Sequence, residues 1–70
     1  MQAMLKLEFD REVDGRWIAE APELPGVLAY GATRDEARGH AMSLALHVIA
    51  DKIEHNEPVP AAAREFFEAA

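Results

Sequence analysis

The chain contains no cysteine. That excludes a disulfide scaffold, a thiol nucleophile and any zinc site built on thiolates. Hydroxyl nucleophiles are almost as scarce: the one serine, Ser43, falls inside a helical segment, where a solvated side chain is its plain reading. No Gly-rich phosphate loop and no nucleophile elbow occurs. Long apolar runs are missing too. The start, Met1-Gln2-Ala3-Met4-Leu5-Lys6, turns polar too soon for a secretory signal. The longest helical segment carries His40, His47, Asp51 and Lys52, so it does not span a bilayer. These absences point to a cytoplasmic protein that is not an enzyme, with no membrane segment, no cofactor and no metal.

What is present is small and acidic. Half of the 70 residues are apolar, and 13 acidic side chains face 7 basic ones for a net charge of −6. A core of this size rarely supplies more than about 3–5 kcal/mol. Without disulfides or a metal, the remaining staple is self-association. The negative charge repels phosphate backbones, so direct nucleic-acid binding is not expected. It suits a basic partner; it also serves plain solubility.

Leu5-Lys6-Leu7-Glu8-Phe9-Asp10 alternates apolar and polar residues, the period of a half-buried strand. Asp14-Gly15 signals a two-residue hairpin turn of type I′. Arg16 to Ala21 reads as the return strand, in which Trp17 and Ile18 are adjacent and cannot both face the core. Pro22-Glu23-Leu24-Pro25-Gly26 is a turn cluster, and Val27-Leu28-Ala29-Tyr30 a third strand broken by Gly31. Thr33 as N-cap with Glu36 three residues on forms a capping box that opens a helix running to about Glu54. Pro58 and Pro60 stop it, and Ala61 to Glu68 has the propensity of a short second helix. The expected fold is α+β over residues 1–70 as a single domain. It comprises a three-stranded antiparallel sheet, one long helix packed on one face, and a short C-terminal helix.

At about 100° per residue, Ala37, Ala41, Leu44, Ala45 and Val48 form the core stripe of the long helix. Met42, Leu46, Ile49 and Ile53 widen the apolar arc to roughly 200°, about twice that of an ordinary surface helix. One sheet layer cannot cover it. The expected cover is the same helix of another protomer, in a dimer or higher oligomer, with Phe66 and Phe67 joining the interface; the alternative is a C-terminal segment folding back. His47, Asp51 and His55 stand at i, i+4 and i+8, a spacing that can gather metal ligands but also describes a solvated helix edge. His40 and His47 share that edge and can respond to pH near 6 at a contact. Glu8, Asp10, Glu12 and Glu20 are the candidate partner-facing residues, an acidic rim for a basic protein.

The ordered set — the Asp14-Gly15 hairpin, Trp17-Ile18-Ala19, Pro22-Glu23-Leu24-Pro25-Gly26, the strand to Gly31, and Thr33-Arg34-Asp35-Glu36-Ala37 — resembles the HicB-like antitoxin family over roughly residues 4 to 60. The resemblance implies a partial RNase H-like fold and an oligomer that masks the active site of a small basic mRNA-cleaving toxin. The usual member adds a C-terminal DNA-binding domain, for which these residues leave no room. The alternative is an orphan oligomeric regulatory or small-ligand-binding protein, its pocket at a subunit interface lined by the Pro22–Gly26 turn with Trp17 and Tyr30 nearby.

Overall fold

The computed structural model describes residues 5–65. In chain order the elements are β1 (Glu8–Arg11), β2 (Trp17–Glu20), β3 (Leu28–Gly31), α1 (Arg34–Glu54) and α2 (Ala61–Arg64). The strands form one antiparallel sheet in the order β1-β2-β3, and α1 packs on one face of it. The fold is α+β, with one long helix and one short one.

The register sorts the side chains. Phe9, Ala19 and Ala29 stand opposite one another across the three strands. They pack with Trp17 and Leu7 against Ala37 and Ala41 of α1. Small residues let the helix lie close. A Cβ added at Gly31 would sit 2.8 Å from the Glu36 carbonyl carbon and 2.9 Å from the Ala37 Cα, so only glycine fits beneath the first turn of α1. Trp17 therefore faces the helix, and Ile18 takes the other side of the sheet.

The first turn differs in detail from the pattern expected of its residues. The first connection is not a two-residue type I′ turn, which would need positive φ at Asp14; here only Gly15, at 94°, has it. Glu12 N–H donates to Arg16 O at 2.7 Å and Gly15 N–H to Glu12 O at 2.9 Å. That is the three-residue connection ending in a left-handed glycine. The second connection is two consecutive turns. Leu24 N–H donates to Ala21 O and Val27 N–H to Leu24 O, both at 3.0 Å. Pro25 and Gly26, the latter at φ 92°, supply the backbone that a type II turn requires. The cluster is more than a bend: Leu24 and Val27 are the largest fully buried side chains among the described residues.

α1 begins where Thr33 caps it, its hydroxyl accepting from Glu36 N–H at 3.1 Å. The reciprocal bond goes one residue further back than in a standard capping box, from Ala32 N–H to Glu36 Oε1 at 3.0 Å. The helix ends before the prolines. Asn56 adopts φ 56°, Asn56 N–H donates to Ile53 O, and Glu57 N–H donates to Lys52 O at 2.8 Å. This is a Schellman motif with asparagine in the left-handed position. The chain then returns, so that Ala63 of α2 packs with Ala45, Ile49, Leu24 and Val27. Among the described residues no helix is long and apolar enough to cross a membrane.

Candidate functional site

Among the described residues, no helix packs on the face of the sheet turned away from α1. Alternation places Glu8 and Asp10 of β1, Ile18 and Glu20 of β2, and Leu28 and Tyr30 of β3 on it. They form two cross-strand rows: Glu8, Glu20, Leu28 and Asp10, Ile18, Tyr30. Leu28 and Tyr30 are exposed, and Ile18 is half-buried. Among the described residues no cation pairs with Glu8, Asp10 or Glu20. Three of the four acidic candidates are thus brought together; the fourth, Glu12, sits half-buried in the hairpin turn. The apolar members of the face were not anticipated. Their signal was the register, which needs the turn lengths to be known first.

Arg16 closes one end of this face. Its guanidinium lies 4.6 Å from the centre of the Tyr30 ring and pairs with Asp14 at 2.9 Å. Asp14 also accepts from Arg16 N–H at 3.0 Å. That backbone hydrogen bond, with the guanidinium beside it, holds the Asp14 carboxyl below the ordinary aspartate value. Arg34 stands 4.0 Å over the Phe9 ring on the helix side.

On that helix side lies an apolar groove of about 260 Å³, with Leu5 and Leu7 on one flank and Met42, Leu46 and Ile49 on the other. Its origin is dimensional. A helix is about 10 Å across and strands are about 4.8 Å apart, so one helix covers about two strands; α1 lies on β3 and β2. The helix residues assigned to an interface divide accordingly. Met42, Leu46 and Ile53 are exposed, Leu46 by 56%. Ile49 is 4% exposed and belongs to the chain's own core. That corrects its reading as an outward-facing contact: the returning segment with Ala63, together with Leu24 and Val27, covers it. Phe66 and Phe67 lie outside the described residues.

No family model, curated protein or solved structure matches the chain.

The remaining candidates separate in space. Trp17 faces α1 and Tyr30 the open face, while Leu24 and Val27 fill the core; these residues do not line one pocket within the chain. Asp51 and His55 do meet, Nδ1 lying 3.3 Å from the carboxylate and 2.8 Å from Asp51 O. Among the described residues no three His, Asp or Glu side chains gather as a metal site. His40 Nδ1 is 2.7 Å from Tyr30 O and ties α1 to β3.

Proposed function

We propose that this chain is a non-catalytic binding module of the antitoxin kind, which uses the open face of its sheet to mask a small basic mRNA-cleaving protein. The observation that supports the reading is the cross-strand Glu8–Glu20 pair, beside Asp10 and next to exposed Leu28 and Tyr30. Like charges placed directly opposite one another destabilise a sheet by about 0.2–1 kcal/mol. A cationic partner turns that cost into attraction, and Ile18, Leu28 and Tyr30 give the contact an apolar centre. The net charge of −6 favours encounter with such a partner and disfavours nucleic acid. The resemblance of the turn and helix-start motifs to HicB-like antitoxins names the class of partner. The protein works in the cytoplasm, as a homo-oligomer, without cofactor or metal and without touching DNA itself.

Co-expression with the product of the adjacent reading frame tests this. The reading expects a small basic protein that co-purifies with the chain and is lost from it as salt is raised. A neighbour that is not small and basic, or a basic one that does not bind, overturns the antitoxin reading.

A further inference from the structure

The groove between α1 and β1 has two unlike ends. Its helix wall is one stripe at four-residue spacing: Arg34 and Arg38, then Met42 and Leu46. Its strand wall follows the helix-facing side of β1: Arg11 and Phe9, then Leu7 and Leu5. Arg34 lies over Phe9, so the two arginine ends coincide. Both walls thus carry guanidinium groups where α1 begins and aliphatic side chains further along.

This polarity stands out on a chain of net charge −6. Arg16 pairs with Asp14 and Lys52 with Glu57. Among the described residues no carboxylate pairs with Arg11, Arg34 or Arg38. Aromatic rings hold two of the three in place. Arg34 stacks 4.0 Å from the Phe9 ring centre, and Arg11 lies 5.4 Å from that of Trp17. A guanidinium stacked by its face keeps its in-plane N–H donors free. Only Arg11 Nε uses one, on Gly15 O at 3.3 Å. Arg34 and Arg38 stand one turn apart, with about 5–6 Å between Cβ atoms, a separation that one carboxylate can bridge. The gathered positive charges repel one another, and an anion between them relieves that.

We propose that the groove binds a free, single-chain amphiphile with a terminal carboxylate, its head between Arg34 and Arg38 and its tail along Met42, Leu46, Leu5 and Leu7. Size selects the tail. The groove holds about 260 Å³, just below the roughly 300–1,000 Å³ of pockets for drug-sized molecules. A helix, about 10 Å across, can lie over it but not enter it. The strip from Met42 to Ile49 is about 10 Å long, the reach of a medium-length alkyl chain. Ala21 and Ala45 keep the floor low, and the unbranched Met42 adapts to the tail. The site lies on the helix side of the sheet, so it is independent of the basic partner proposed for the opposite face.

Decanoate below its micelle concentration is the probe. Calorimetry on the native chain should show saturable binding of one ligand per chain. The amide resonances of Leu7, Met42 and Leu46 should move, and those of Leu28 and Tyr30 should not. Shortening the probe to hexanoate should weaken binding at least tenfold, because a fully buried methylene is worth about fourfold. Arg34→Gln/Arg38→Gln changes two exposed side chains. It should weaken decanoate at least tenfold, with unchanged binding of uncharged decanol and unchanged far-UV circular dichroism. Decanol bound as tightly as decanoate by the native chain, or decanoate binding indifferent to the double arginine variant, overturns the proposal. Absence of saturable binding by the native chain overturns it as well. If binding then appears in Phe66→Ala/Phe67→Ala, the occupant is the chain's own C-terminal segment; if it appears on dilution to a monomer, the occupant is a second copy.

Discussion

Gly31 is the residue at which one added carbon changes most. A Cβ there meets the backbone of Glu36 and Ala37, which cannot yield as a side-chain tip does. Overpacking typically costs about 1–3 kcal/mol, and contact with backbone belongs at the upper end. Gly31→Ala should therefore lower the urea midpoint strongly, while Gly39→Ala, with nothing near its Cβ and a helical backbone, should raise the midpoint, with a gain in folding stability of up to about 1 kcal/mol. Equal effects at the two glycines would contradict the close α1–β3 approach. Asp14 gives a pH signature. Its carboxyl titrates below the ordinary value because Arg16 N–H and guanidinium favour the charged form. A group depressed in the folded state stabilises above its unfolded pKa, and that contribution is lost as pH falls through the folded one. The carboxyl carbon resonance of Asp14 should report a midpoint below the usual aspartate range, rising only part of the way toward that range in Arg16→Ala, which removes the guanidinium but keeps the backbone N–H; no change in the variant would assign the shift to the backbone N–H alone.

The elements show which information was local. The start and span of α1 were legible because Thr33, Glu36 and the apolar period are local to it; the alternation of Leu5–Asp10 located β1 but not its bounds, since the strand runs Glu8–Arg11. The exit of α1 was attributed to Pro58 and Pro60, whereas Asn56 in the left-handed conformation ends it first; asparagine announces that role far less strongly than glycine would. The acidic site residues were legible as a group, but their apolar companions Ile18, Leu28 and Tyr30 depend on the pairing of three strands. Ile49 was misplaced because a helical wheel gives angles, not occupants, and its cover comes from Leu24, Val27 and Ala63, remote in sequence. A paired substitution measures the difference. Ile49→Ala should cost about 2–5 kcal/mol of folding stability. Leu46→Ala, one turn away and exposed, should cost the folded monomer less than about 0.5 kcal/mol. Comparable losses under monomeric conditions would contradict the division of α1 into core and surface strips.

At the scale of the molecule, the two faces of the sheet have different surroundings. One holds α1 and the core; the other exposes carboxylates beside Leu28 and Tyr30. The carboxylates act against stability, so relieving them should help it: Glu20→Gln should stabilise the chain by a few tenths of a kcal/mol, within the range for cross-strand pairs. The same change should weaken capture of a basic protein, and the opposite signs separate a binding role from a structural one. The most direct measurement of the central claim is the affinity of the Glu8→Gln/Asp10→Asn/Glu20→Gln variant for the small basic protein that the proposed function expects from the adjacent reading frame, followed against salt. We predict a more stable chain whose binding is at least tenfold weaker and whose salt dependence is shallower. Unchanged affinity with an unchanged salt slope would contradict the assignment of the open sheet face as the binding surface.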